Sequence, residues 1–231
     1  MPAVIEIHGG AFTEGEPDVE RNRLLAENGF FTASIQYRLS QEATFPAQIH
    51  DSKAAVRWVR AHADEYHIDT SRVGVWGTSA GGHLAALVGT SGDVPKLEGD
   101  GGSAGYSSAI QAVIDECGPT DMADRVSLVP PGELWWIEQL FGGPLSDRPD
   151  LVRLANPITH ISPNCPPFLI VHGELDDVVP VRSSELLYEA LEAAGCNVTF
   201  IRIPGAGHNF AESWDRSPEQ VRLEFFQKHL S

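Results

Sequence analysis

Lysine is nearly missing from this chain. Lys53, Lys96 and Lys228 are the only three among 16 basic residues, which face 32 acidic ones and leave a net charge of −16 over 231 residues. So acidic a surface repels phosphate backbones and anionic headgroups, which argues against nucleic acid or a lipid surface as partner. Long apolar runs are also absent: no stretch approaches the roughly 18 consecutive apolar residues of a membrane span. The first residues, Met1-Pro2-Ala3-Val4-Ile5-Glu6, lack the basic start and apolar run of a secretory signal. The expectation is a cytoplasmic protein, or a secreted one if a segment precedes this chain. Cysteine is scarce too. Cys117, Cys165 and Cys196 show no CxxC spacing and cannot close a disulfide framework. They read as small buried hydrophobes, with one disulfide plus a free thiol left open, and none sits in the context of an activated nucleophile. No metal-ligand spacing stands out, so no metal and no organic cofactor is expected. What is present is the mix of a globular chain with a core, 42% hydrophobic and 21% charged.

Short β-rich runs alternate with helical patterns. The runs at Ala3–His8, Thr32–Tyr37, Val73–Gly77, Ala112–Cys117, Phe168–Gly173 and Thr199–Pro204 are rich in Val, Ile and Phe, as in strands covered on both faces. Helical patterns fall at Val19–Asn28, Pro46–Tyr66, Ala80–Thr90, Val181–Ala194 and Pro218–Leu230. In the second of these, Ala54, Ala55, Trp58, Val59 and His62 form the expected buried stripe. Gly29 and Gly195 stand where helix-ending glycines belong. The alternation predicts an α/β fold with a mostly parallel sheet and helices on both faces. Two stretches break the rhythm: the glycine-rich loop Ser91–Ser108, and Gly118–Pro167, which holds the Trp135-Trp136 pair. An insertion of that kind between two strands reads as a lid or pocket wall near 118–167 rather than a second domain, so one domain over 1–231 is expected.

The sharpest local signal is Gly77-Thr78-Ser79-Ala80-Gly81-Gly82, directly after an apolar strand and opening a helix. G-x-S-x-G in strand–turn–helix context is a nucleophile elbow, whose glycines tolerate the turn that exposes the serine. A serine needs a base, and His208 lies in Gly205-Ala206-Gly207-His208-Asn209-Phe210, just after a strand. Imidazole can take and return a proton near neutral pH. The base needs an orienter, and the loop after Phe168–Gly173 offers Asp176, with Asp177 as runner-up. His8-Gly9-Gly10-Ala11-Phe12 follows the first strand, where glycine-freed N–H groups form an oxyanion hole. Gly10 and Ala11 are the expected donors there, joined by Ala80.

With these pieces in order, the chain resembles the α/β-hydrolase carboxylesterases of the hormone-sensitive-lipase-like and bacterial feruloyl- and acetylxylan-esterase-like groups. The resemblance rests on HGGAF at 8–12, YRLS at 37–40, FPAQIHDSKAAVRWVR at 45–60, GTSAGGHLAAL at 77–87, GPTD at 118–121, PPFLIVHGELDDVVP at 166–180 and GAGHNF at 205–210. It implies Ser79 as nucleophile, Asp176 as triad acid, His208 as base, and Gly10, Ala11 and Ala80 as oxyanion donors. It also implies scaffold roles for the YRL and HDSKAAVRW segments, with Arg38 and Asp51 as structural ionic or capping residues. Two departures stand out. Ala11 replaces the third glycine of HGGG, and the chain opens on the strand that bears HGG, so the fold is expected without the family's N-terminal β-hairpin.

The expected activity is hydrolysis of short-chain or aryl-acyl esters through an acyl-enzyme, with a small-molecule ester as the only partner and the oligomeric state open. The acidic surface biases against anionic esters. A serine peptidase of the prolyl-oligopeptidase type and an aryl formamidase share the same triad. A non-catalytic binder on the hydrolase fold is the alternative from another class. Trp135, Trp136, Phe141, Phe210 and Trp214 are candidate pocket or lid aromatics, and 117–121 a candidate acyl-side wall.

Overall fold

The computed structural model describes residues 1–122 and 135–231. Six strands form one sheet in the order β2-β1-β3-β4-β5-β6: β1 Ala3–Ile7, β2 Phe31–Ile35, β3 Val73–Thr78, β4 Ala112–Glu116, β5 Phe168–Gly173 and β6 Val198–Ile203. Every pairing is parallel. The helices are α1 Arg23–Glu27, α2 Ala47–Ala61, α3 Ala63–Tyr66, α4 Ala80–Thr90, α5 Trp135–Phe141, α6 Pro149–Ala155, α7 Arg182–Ala193 and α8 Pro218–Leu230. The strands thus lie within a residue or two of their expected places. Among the described residues, no helix is long and apolar enough to cross a membrane.

Alternation along each strand sends side chains to two separate cores. Ala3, Ile5, Ile7, Val73, Val75, Val113, Phe168 and Ile170 face one, together with α4 and the buried side of α2. Val4, Trp76, Ala112, Ile114, Leu169 and Val171 face the other, with Phe225, Phe226 and Leu230 of α8. The same alternation splits the acids of β4. Asp115 lies against Gly82 of α4, while Glu116 meets Arg222 of α8.

The helix expected over Pro46–Tyr66 is divided, because the His62 ring takes the Trp58 carbonyl at 2.9 Å and the chain leaves helical angles there. Its buried stripe also differs from the expected one. Ser52, Lys53, Val56, Arg57, Val59 and Arg60 are buried, while Trp58 is exposed and stacks on His62 at 4.2 Å. The reason is polar. Lys53 Nζ donates to the Ser91 carbonyl at 2.6 Å, Arg57 to the carbonyls of Glu98 and Gly101 at 2.9 and 2.7 Å, and Arg60 to that of Ser107 at 2.8 Å. Buried cations thereby satisfy the carbonyls of the glycine-rich loop, which regular secondary structure leaves unpaired.

The expected insertion near 118–167 falls partly on 123–134, outside the described residues. In the remainder, Ile137, Leu140, Phe141, Val152 and Ala155 are buried in the first core. All three cysteines are free. Cys117 is buried as expected, but Cys165 and Cys196 are only half-buried, and both sulfurs sit on the Ser162 backbone. Cys165 Sγ accepts from the Ser162 N–H at 3.4 Å, and the Cys196 thiol faces the Ser162 carbonyl at 3.3 Å.

Candidate active site

Ser79 stands between β3 and α4 with φ 58° and ψ −121°, a region that side chains rarely adopt. Two contacts force it there. The Ser79 N–H donates to the Glu116 carbonyl of β4 at 2.7 Å, and its own carbonyl accepts from His83 one turn into α4. The turn is so tight that a Cβ at Gly81 would overlap the Ile7 carbonyl. Side-chain-free backbone at 81 is therefore what lets α4 start against the end of β1. Strain of this kind costs about 1–3 kcal/mol and persists where the surroundings over-determine it.

His208 and Asp176 meet as expected: His208 Nδ1 lies 2.6 Å from Asp176 Oδ2. The carboxylate is held from four directions, since its Oδ1 accepts the N–H groups of Val178 and Val179 at 2.9 and 2.8 Å and His172 Nε2 approaches Oδ2 at 3.0 Å. Burial alone would raise the Asp176 carboxyl. The hydrogen bonds from His172, His208 and Val179 outweigh it and hold the group well below the usual carboxylate range. Asp177 is exposed and makes no contact with His208 among the described residues.

His172 is a residue that motif reading passes over. Its ring is fully buried on β5; Nδ1 lies 2.7 Å from the Ser184 hydroxyl, and Nε2 is 2.8 Å from the Val179 carbonyl as well as near Asp176. Two acceptors at Nε2 fix the proton there, so Nδ1 accepts from Ser184 and His172 donates to Asp176. It does not reach the cleft. His172→Leu is therefore expected to lower kcat by about 10–100-fold with KM nearly unchanged, while His172→Gln, whose amide can replace Nε2–H, recovers most of the loss. Steady-state kinetics on both variants check this; equal losses would contradict it.

The HGGAF loop turns through three residues of positive φ: Gly10 at 109°, Ala11 at 52° and Phe12 at 61°. Among the described residues, the N–H groups of Gly10, Ala11 and Ala80 have no protein acceptor, the state expected of donors kept for an oxyanion. The loop is braced from below. His8 stacks on Tyr37 at 4.3 Å, the Tyr37 hydroxyl donates to the His8 carbonyl at 3.2 Å, and Phe12 is buried against His83 and stacked on Trp136 at 6.1 Å. Arg38 forks onto Asp51 at 2.9 and 2.8 Å, the scaffold role expected of both.

Ser79 and His208 open on one cleft of about 460 Å³, lined also by Gly9, Gly10, Ala11, Glu14, Arg21, Thr78, Val178 and Asn209. None of the candidate aromatics is among these lining residues. Trp135 is exposed, Trp136 packs on Phe12, Phe141 packs on Phe45, and Phe210 packs on Trp214. The 117–121 segment is packed rather than cleft-lining: Cys117 is buried, the Thr120 hydroxyl donates to the Ser183 carbonyl, and Asp121 accepts from Asn156 at 2.9 Å.

Behind the elbow lies a buried charge cluster. Arg222 forks onto Glu116 at 2.7 and 2.9 Å, and Thr78 Oγ1 donates to Glu116 at 2.8 Å. Arg21 donates to Thr78 at 2.7 Å and to the buried Glu6 at 3.0 Å. Both guanidinium groups sit over the Trp76 ring, at 3.8 and 4.6 Å. Two cations and two anions thus balance around Thr78, the residue that precedes Ser79, with Arg21 at the edge of the second core.

On the opposite side, Asp115 accepts the Gly118 N–H at 2.9 Å with one carboxylate oxygen, while the other has no partner among the described residues. Burial pushes its pKa up to about 6, against the pull of His172 and the Gly118 N–H. Burial also pushes His83 down to about 4. The signs are opposite. Folded Asp115 holds a proton that the unfolded chain releases, so its contribution falls as pH rises from about 4 to 6. Neutral His83 makes stability rise with pH over roughly the same window. Asp115→Asn removes only the first effect. Its stability relative to wild type is expected to improve by on the order of 2–3 kcal/mol between pH 4 and 7, checked by urea unfolding at both pH values; a constant difference would contradict it.

The BD-FAE family model matches residues 1–191. Esterase LipC of Mycobacterium tuberculosis is 33% identical over 214 residues, covering 90% of this chain and 53% of its own length. Esterase LipQ of the same organism is 32% identical over 213 residues, covering 90% and 50%. The chain thus spans about half the length of the curated relatives it matches. Among solved structures, a truncated carbohydrate esterase from gut microbiota superposes with a TM-score of 0.89 at 35% identity, covering 98% of this chain and 85% of that one. An acetyl ester-xyloside bifunctional hydrolase from Caldicellulosiruptor lactoaceticus gives 0.83 at 26% identity, covering 99% and 83%.

Proposed function

We propose that this chain, which belongs to the BD-FAE family of α/β-hydrolase esterases, is a serine carboxylesterase acting on short acyl esters of neutral, hydroxylated alcohols. One observation carries the reading: the strained Ser79 and the Asp176-bound His208 open on a single cleft beside N–H groups that have no acceptor among the described residues. With Nδ1–H donated to Asp176, His208 presents Nε2 as the base. Ser79 Oγ gives its proton to Nε2 as it attacks the ester carbonyl. The N–H groups of Gly10, Ala11 and Ala80 receive the oxyanion, the alcohol leaves with the proton from His208, and water activated by the same ring releases the acid.

The cleft walls favour a polar leaving group. Glu14, Arg21, Thr78 and Asn209 line it, and Val178 is the largest apolar side chain there among the described residues. Arg21 is already engaged by Glu6 and Thr78, so it offers little to an anionic substrate, in line with the net charge of −16. The names of the structural neighbours, a carbohydrate esterase and an acetyl ester-xyloside hydrolase, agree with a sugar as the alcohol.

The test is a panel of p-nitrophenyl acetate, p-nitrophenyl octanoate, an acetylated xylo-oligosaccharide and an aryl formamide. The acetate is expected to exceed the octanoate in kcat/KM by at least about tenfold, since a cleft this polar recovers little from a long chain, and the acetylated oligosaccharide is deacetylated. Preference for octanoate, or turnover of the formamide alone, would overturn the substrate reading.

A further inference from the structure

Beneath the His208 ring lies a third side chain that the esterase chemistry does not use. Cys117 is fully buried at the end of β4, with φ 47°, and its sulfur is 3.9 Å from the His208 carbonyl. Cys117 Sγ, an Asp176 carboxylate oxygen and a His208 ring nitrogen all lie within 4.8 Å of one another. Thiolate, carboxylate and imidazole are the three ligand types that bind Zn²⁺, and a soft sulfur selects it over Mg²⁺ or Ca²⁺.

We propose that Cys117, Asp176 and His208 form an inhibitory zinc site on the buried side of the His208–Asp176 pair. Zinc–ligand bonds of about 2.0–2.3 Å put tetrahedral ligands roughly 3.3–3.6 Å apart. The His208–Asp176 pair therefore opens from 2.6 Å and the sulfur closes in from at most 4.8 Å, a rearrangement of about one ångström. The movement falls on the His208 side chain and the sulfur, since the backbone at Ala206 is held by the Leu175 N–H at 2.8 Å.

The bookkeeping of charge and protons closes. Zn²⁺ meets one thiolate, one carboxylate and one neutral imidazole, so the bound site is neutral in a buried setting. One proton leaves, from the Cys117 thiol to solvent. The His208 proton moves from Nδ1, now on the metal, to Nε2. Inhibition follows from that last shift: with Nε2 protonated and Nδ1 ligated, His208 cannot accept the Ser79 proton.

The activity readout rests on the esterase reading, but the binding readouts do not. The experiment titrates the purified chain with ZnCl2 by calorimetry and with CoCl2 by absorption, and follows p-nitrophenyl acetate hydrolysis with and without Zn²⁺ and EDTA. Wild type is expected to bind one zinc, to lose activity reversibly, and to show a thiolate-to-cobalt charge-transfer band. Cys117→Ala is expected to keep its metal-free activity, lose the band, and weaken both zinc binding and inhibition by at least about tenfold, since losing a direct ligand costs more than losing a supporting one. Equal zinc affinity and inhibition in wild type and Cys117→Ala would place the metal elsewhere and overturn the proposal, as would a cobalt spectrum with no thiolate band. If no ester is hydrolysed while the Cys117-dependent band appears, the esterase reading fails and the metal site stands.

Discussion

Ser79→Ala is expected to lower kcat toward p-nitrophenyl acetate by about 10⁴–10⁶-fold, leaving a residue of activity from the oxyanion donors and substrate binding. The size of the effect follows from the unit being broken: without Oγ, the Asp176–His208 pair has no nucleophile to activate. The fold itself should not suffer. The backbone at 79 is fixed by its N–H bond to the Glu116 carbonyl and by its carbonyl on His83, neither of which uses the side chain. Ser79→Gly adds a contrast. At φ 58°, glycine relieves strain that serine and alanine share, so the glycine variant should be more stable than the alanine variant by about 1 kcal/mol and equally inactive. Kinetics and urea unfolding on the pair check both halves. A more active and less stable glycine variant would show that the elbow is not strained.

Arg222→Met carries the largest expected effect on stability. The Arg222 and Glu116 side chains are only 6% and 3% exposed, so removing the guanidinium leaves a carboxylate buried with weaker compensation. Breaking a buried pair from one side costs about 3–5 kcal/mol. Arg21, 3.9 Å from the same carboxylate, offsets part of this, so the loss should fall near 3 kcal/mol and lower Tm by on the order of 10 °C. The discriminating variant is the double one. Arg222→Met with Glu116→Gln removes both charges, keeps an acceptor for Thr78, and should recover most of the loss. If the double variant is as unstable as the single one, packing on Trp76 rather than charge holds the cluster together.

The elbow and the acid loop were legible because each joins a buried strand to a short motif, and the histidine loop because Gly205-Ala206-Gly207-His208 follows the last strand. Helices cover both faces of the central strands, so propensity and burial point the same way there. Asp176 could be chosen over Asp177 only from its place in the loop, and the structure separates them by burial. Less legible was what depends on pairing across the chain. Arg222 and Glu116 are 106 residues apart in sequence, and Arg21 and Thr78 are 57 apart. A signal was nevertheless present: Glu6, Asp115 and Glu116 sit inside otherwise apolar strands, and a buried acid demands partners. His172 left a weaker trace, a histidine near the end of the strand that leads to Asp176. The stripe on α2 was misphased because Lys53, Arg57 and Arg60 point inward to loop carbonyls, where amphipathicity alone sends charge outward.

The central claim is that Ser79 is the activated nucleophile, and covalent labelling reads it most directly. Treatment with a fluorophosphonate, followed by intact-mass measurement and peptide mapping, should give one adduct per chain, on Ser79. The adduct should be absent in Ser79→Ala and formed much more slowly in His208→Gln, where the base is gone. A folded wild-type chain that stays unlabelled, or an adduct on another residue that persists in Ser79→Ala, would contradict the account.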